Sequence, residues 1–308
     1  MKETAKPSLG WDLAGYGDSG SALCRADRNG DSIAATILHA PFICRPRHKI
    51  GSAIDSTVDA ELEMLRRFAR IGNTYLDVPI DLQELARLVD HLQDERALYY
   101  WQLVKRPVDH VFKALEPLAC NLGFAVARTS HILGRLAAEN ARLKLGDNIF
   151  ETYPAATLQL VWDTNQWTAA KYKGGKIVYR DGKWQGQAGK KKNAAARSKE
   201  ERKNAGLATL ANNLGFRAAE DSALNDDEFD AIVCAITGCI PGCTIQGETL
   251  AAVIRKKLVE LHGETEWITE VKPPDGYVVF DRVPTDFRVE VRRVDCPTPD
   301  ALFAALCQ

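Results

Sequence analysis

The N-terminal stretch Met-Lys-Glu-Thr-Ala-Lys-Pro-Ser lacks the apolar segment of a secretion signal, and no apolar run nears the length that spans a bilayer. These absences predict an intracellular, cytoplasmic protein with no membrane association. The eight cysteines, at 24, 44, 120, 234, 239, 243, 296 and 307, form no CxxC pair and no Cys/His spacing of a zinc site. Buried free thiols are therefore expected, and none is a candidate nucleophile. Internal repeats are missing too. Gly15-Tyr16-Gly17-Asp18-Ser19-Gly20 matches the GxGxxG pattern literally, but Ser21 to Ala26 reads as a strand where a dinucleotide site needs a helix, so that reading is rejected. What remains is an ordinary globular composition of 45% hydrophobic and 26% charged residues in 308, read as a single domain over 1–308.

The net charge of −1 hides an asymmetry: residues 171–203 hold twelve Lys/Arg against three Asp/Glu, a net +9, which leaves −10 on the rest. Within that segment the Asp181-Gly182 pair, flanked by Tyr179 and Trp184, predicts a basic hairpin carrying aromatic side chains. Such a hairpin suits stacking on bases and contact with phosphates, with Lys171 and Lys173 as phosphate contacts and Tyr179 and Trp184 as stacking groups. Exposed hairpins also carry lysines for solubility alone.

Along the chain, residues 8–14 alternate as a strand, with Leu9, Trp11 and Leu13 on one face and Gly10, Asp12 and Ala14 on the other. Aspartate is disfavoured in a strand, and the small neighbours of Asp12 leave room that a metal ion would fill. Ser21 to Ala26 and Ser32 to His39 follow as strands with Asn29-Gly30 as the turn, giving a three-strand antiparallel meander. After a basic run at Arg45 to Lys49, Thr57 to Arg70 forms an amphipathic helix with Val58, Leu62, Leu65 and Phe68 inward. Residues 74–81 form a strand in which Leu76, Val78 and Ile80 share one face and Tyr75 and Asp77 the other. A backbone contact at the strand end would also explain Asp77. Helical patterns dominate 82–145, an insertion, and Arg106 with Asp109 is either a structural ion pair or a substrate-phosphate contact. Glu151 lies on a strand that stops at Pro154, where a helix starts. A helix spans about 194–213, another 247–262, and Gly276 to Phe280 is expected to be the final strand.

Between those last helices lies Asp226-Asp227-Glu228-Phe229-Asp230-Ala231, opening an apolar run through Gly238 that reads as a helix buried all round. Acidic residues suit a helix N-terminus as caps. Asp227 and Asp230, three apart, also leave the same face of the first turn and can hold a hard cation. This order of elements predicts an α/β fold: an RNase H-like mixed five-stranded sheet, three antiparallel strands then parallel ones, flanked by helices, with a helical insertion at 82–145 and a basic-hairpin insertion at 171–203. Asp12, Asp77 and Asp227/Asp230 fall where that fold places its carboxylates.

The segments Gly10 to Gly15, Leu76 to Asp81, Glu151-Thr152-Tyr153-Pro154 and Asp226 to Ala231 resemble a domain-of-unknown-function family of predicted RNase H-like nucleases, over residues 10 to about 284. The acidic helix and the Glu151 segment are also similar to RuvC-type Holliday-junction resolvases. The resemblance implies metal-dependent hydrolysis of phosphodiesters in DNA or RNA. Asp12 would bridge two Mg²⁺ or Mn²⁺ ions about 3.5–4 Å apart, Asp77 would complete one site, and Asp227 with Asp230 the other. Glu151 would act as an outer ligand, and Lys171, Lys173 and Arg106 would meet substrate. Three alternatives stand beside it: a non-catalytic nucleic-acid-binding module, an actin-like ATPase or sugar kinase, and an enzyme acting on a nucleotide or other phosphorylated small molecule. Homo-oligomerisation is left open.

Overall fold

The computed structural model describes residues 6–14, 21–44, 53–81, 105–114, 123–139, 143–187, 193–285 and 287–308. The Gly15–Gly20 turn, the Arg45–Lys49 run, Lys190–Lys192 and most of the predicted helices in 82–145 lie outside them.

Residues Ser8–Asp12 (β1), Ala22–Asn29 (β2) and Ser32–His39 (β3) form the antiparallel meander. The turn is one residue later than expected: Asn29 pairs with Ser32, and Gly30, at φ 65°, leads into Asp31. Helices Pro41–Cys44 (α1) and Ala53–Phe68 (α2) lead to Asn73–Leu76 (β4), which runs parallel to β1. Pro107–Val111 (α3) and Gly123–Ala138 (α4) precede Ile149–Glu151 (β5), parallel to β4, and Pro154–Val161 (α5) follows. Next come Lys176–Arg180 (β6) and Lys183–Gly186 (β7), the predicted hairpin, then Ala194–Asn213 (α6). Short strands Phe216–Arg217 (β8) and Ala223–Asn225 (β9) lead into the acidic helix Asp226–Cys239 (α7). Thr244–Gln246 (β10), Gly247–His262 (α8), Val278–Phe280 (β11), Arg288–Asp295 (β12) and Pro299–Cys307 (α9) complete the chain.

The protein is thus mixed α/β, with a sheet flanked by helices. That sheet has seven strands rather than five, in the order β5-β4-β1-β2-β3-β12-β8. The expected five are present in sequence, and β12 and β8 extend the β3 edge as parallel neighbours. Nor is 276–280 the final strand: β11 pairs with β10 in a separate two-stranded sheet, and β12 lies beyond it. The missed strand had a readable signal, because Val289 and Val291 are buried while Arg288, Glu290 and Arg292 are exposed.

The strand patterning decides what covers each face. Leu9, Trp11 and Leu76 pack with Val58, Leu62 and Phe68 of α2, Ile132 of α4 and Leu302 of α9. The opposite face of β1 carries Gly10 and receives α7. A Cβ at Gly10 would lie 2.0 Å from the Ala231 carbonyl oxygen and 2.4 Å from the Ala235 nitrogen. At the other end of α7 a Cβ on Gly238 would lie 2.2 Å from Ser8 Oγ. Backbone meets backbone at Gly10, and side chains of Ser8 and Tyr75 meet Gly238, so the room beside Gly10 holds a helix and not an ion. Among the described residues no helix is long and apolar enough to cross a membrane.

The seven described cysteines are free, five of them buried, as expected.

Candidate metal centre

In the parallel pair β1–β4, Trp11 stands opposite Leu76, and the Asp77 amide donates to the Trp11 carbonyl at 3.0 Å. Asp12 and Asp77, the next residues on each strand, therefore emerge side by side at the C-terminal edge of the sheet. The close seat of α7 on Gly10 brings Asp230, one residue before Ala231, to the same place. One carboxylate oxygen from each of Asp12, Asp77 and Asp230 lies within 4.8 Å of the other two.

The helix cap and the cluster use different acids. Asn225 Oδ1 accepts from the Glu228 amide at 2.9 Å, and Glu228 Oε2 accepts from the Asn225 amide at 3.0 Å. That capping box satisfies the helix start, so Asp230 is not needed as a cap. It is fully buried. Asp227, partly buried one turn earlier, stands outside the group of three.

A lysine reaches into the cluster. Lys173 Nζ lies 3.1 Å from Asp12 Oδ2 and 2.5 Å from Asp230 Oδ2, and the Tyr172 hydroxyl donates to Asp230 Oδ1 at 3.0 Å. Lys173 was expected to contact substrate phosphate, but here it serves as internal counter-ion. Neither it nor Tyr172 betrays that role in sequence, because the partners are remote in the chain. Lys171 is exposed on a 3-10 turn just before them.

Electrostatics follow from burial and from one ammonium facing several acids. Burial pushes Asp12 well above the carboxylate range, opposed by Lys173 and reinforced by Asp77 and Asp230. Burial likewise raises Asp77 and Asp227, each to about 7. Asp230 is raised by burial and drawn back by Lys173. For Lys173 burial acts downward, but Asp12, Asp230 and Asp77 outweigh it and hold the ammonium charged. The Tyr153 phenol rises through burial, with Asp77 and Asp230 adding to it.

Arg106 and Glu151 are corrected. Arg106, 1% exposed, meets no substrate surface. Its guanidinium pairs with Asp109 at 2.8 Å and Glu151 at 2.6 Å and donates to the Asp81 carbonyl at 3.0 Å. Glu151 also accepts from the Ile80 amide at 2.8 Å. Both are structural and belong to a clamp on the segment that follows Asp77, and the ion-pair reading of Arg106 with Asp109 is the one observed. On the other flank Arg128, paired with buried Glu61, donates to the Ala14 carbonyl at 2.7 Å, just past Asp12.

Tyr179 and Trp184 are also corrected, since neither is free to stack on a base. They face each other across the hairpin as an edge-to-face pair with centroids 5.3 Å apart, and both are buried. Trp184 Nε1 donates to the Phe216 carbonyl at 3.1 Å, and Asn212 of α6 exchanges two hydrogen bonds, of 2.8 and 2.9 Å, with the Trp184 backbone. Asp181 and Gly182 both adopt positive φ, as the predicted tight turn requires. Trp184→Ala is expected to lower unfolding free energy by about 3–5 kcal/mol in urea titrations, as an aromatic truncation in the core does.

Three buried or half-buried carboxylates are a donor set suited to a hard divalent cation, and Lys173, the one cation paired with them among the described residues, leaves them short of positive charge. The residues fit such an ion. Comparisons with models of protein families, with curated proteins and with solved structures found no match.

Proposed function

We propose that the protein is a cytoplasmic, metal-dependent nuclease hydrolysing phosphodiester bonds in DNA or RNA on an RNase H-like sheet. The convergence of Asp12, Asp77 and Asp230 from two neighbouring strand ends and a helix carries this reading. The β5-β4-β1-β2-β3 portion of the sheet, with one antiparallel meander and two parallel additions, supports the fold assignment.

Asp12, Asp77 and Asp230 would hold Mg²⁺ or Mn²⁺, with Asp227 at the rim. A bound divalent ion supplies charge stabilisation at the phosphoryl oxygens and a lowered pKa for water. Tyr172 fixes the rotamer of Asp230 by its hydrogen bond to Oδ1, which leaves Oδ2 toward the cluster. The Arg106–Glu151 clamp holds the backbone after Asp77, and Arg128 holds the backbone after Asp12, so both strand-end carboxylates start from fixed positions.

The ion pairs of Lys173 favour a second reading, a nucleic-acid-binding module whose acids are neutralised from within. The two separate in one assay. Labelled single-stranded, double-stranded and branched DNA and RNA are incubated with Mn²⁺ or Mg²⁺ and wild-type protein, Asp12→Asn or Asp230→Asn. Metal-dependent cleavage is expected, reduced at least about a hundredfold in both variants. Absence of cleavage with undiminished binding by all three proteins would sink the nuclease and favour the module.

A further inference from the structure

Helices α3 and α8 pack against each other, and a cavity of about 350 Å³ opens beside them, sharing no residue with the acidic cluster. Its lining includes three lysines, Lys105, Lys113 and Lys257, with Asn165 and His110, against one acidic residue, Glu260. Glu260 lies 4.0 Å from Lys256 on its own helix, so part of its charge is met there. Positive charge is therefore in excess. Lys113 and Lys257 form no ion pair among the described residues.

Two features show that the lysines are placed. Lys105 Nζ donates to the Ala114 carbonyl at 2.8 Å, which fixes the end of its side chain. Lys113 follows the end of α3 with φ at 55°, where glycine would serve without strain and a side chain costs about 1–2 kcal/mol. A residue kept in that conformation points to a use for its side chain. His110 adds to the pattern: its Nε2 lies 3.1 Å from His262 Nε2 with the rings stacked. Burial lowers its pKa first, and His262 and Lys105 add to that.

We propose that this cavity binds the phosphate group of an anionic ligand. Donor side chains drawn from both ends of α3, from α8 and from the Asn165 loop line one cavity, a set that suits a tetrahedral oxyanion with many acceptor oxygens better than a planar carboxylate. The volume lies within the range of small-ligand pockets, so a nucleotide fits as well as the phosphodiester of a strand. The shared chemistry is the phosphate, and the source is decided by measurement.

The test is calorimetric titration of the full chain in EDTA, which silences the acidic cluster, with inorganic phosphate, AMP and a short oligothymidylate as separate probes. Wild type is compared with the Lys113→Gln/Lys257→Gln double variant, and Lys6→Gln/Lys272→Gln serves as a surface-charge control. At least one probe is expected to bind wild type and control alike, with affinity at least about tenfold lower in the double variant and an unchanged urea midpoint. Binding of phosphate or AMP identifies a free phosphate ligand, and binding of the oligonucleotide alone identifies a strand. No binding of any probe to wild type at millimolar concentration, or equal binding by the double variant, overturns the proposal. Lys257→Gln alone gives the same direction at smaller size, which guards against a folding defect at the left-handed Lys113.

Discussion

Metal-free protein is expected to lose stability as pH rises from about 4 to about 7, and Mn²⁺ is expected to restore it at pH 8. The sign follows from Asp77, whose carboxyl moves from 3.8 to about 7 on folding, chiefly through burial. Between those values the unfolded chain has released the proton and the folded chain retains it, so folding is favoured at the acid side and the advantage vanishes above about pH 7. Asp227, raised to about 7 as well, and Asp12, raised by burial, act in the same direction. Lys173 acts elsewhere on the scale: its stabilisation is complete below the ordinary lysine value and fades only above it. The move of Asp77 from 3.8 to about 7 corresponds to at most about 4 kcal/mol. Divalent ion at a hundredfold excess over its Kd would return about 2.7 kcal/mol. Urea midpoints measured with EDTA or Mn²⁺ at pH 5 and pH 8 check both halves. Asp12→Asn is expected to be more stable than wild type in EDTA at pH 8 and to respond little to Mn²⁺. A wild-type midpoint that is flat with pH and indifferent to Mn²⁺ would remove the basis for a cation site.

Gly10→Ala is expected to be strongly damaging for a change of a single methyl group. The new Cβ would fall 2.0 Å from a carbonyl oxygen and 2.4 Å from an amide nitrogen of α7, and these are backbone atoms with no rotamer to change. Either α7 lifts from the sheet or the chain does not fold, at a cost of at least about 3 kcal/mol. Because Ala231 follows Asp230, lifting α7 also carries one cluster carboxylate away from the other two. Gly134→Ala is the control: it lies in α4 with nothing within 4 Å of its added Cβ, and replacing a helical glycine there should stabilise by up to about 1 kcal/mol. Urea unfolding of the two variants, with the Mn²⁺ response of each, separates a general methyl effect from loss of the helix seat.

These expectations show where sequence alone was informative. Alternation was enough to put Leu9 and Trp11 on one face of β1 and Asp12 on the other, and to pair Tyr75 with Asp77, because a strand's period of two leaves no freedom about faces. The bracket of acidic and apolar residues was enough to bury α7. What alternation leaves open is which face another element will cover. Tyr179 and Trp184 share a hairpin face whether it meets water or α6, and the helix that closes over them begins some residues later with Asn204, Leu207 and Asn212 on its inner side. Charged residues raised the same problem. Arg106, Glu151 and Lys173 each looked like site residues, yet Arg106 and Glu151 satisfy each other and Lys173 satisfies the acids it was expected to work beside. Pairing across such distances in the chain is a property of the assembled fold.

The placement of β12 bears on how a ribosome-bound chain can fold. The meander β1–β3 leaves the tunnel well before residues 288–295, which form the partner that covers the outer edge of β3. Until then a strand carrying Ile33, Ala35 and Ile37 offers unpaired amides and carbonyls to any other nascent strand. Slow, late closure of long-range parallel pairing is the expected rate-limiting event, and chaperone demand should be highest while that edge waits.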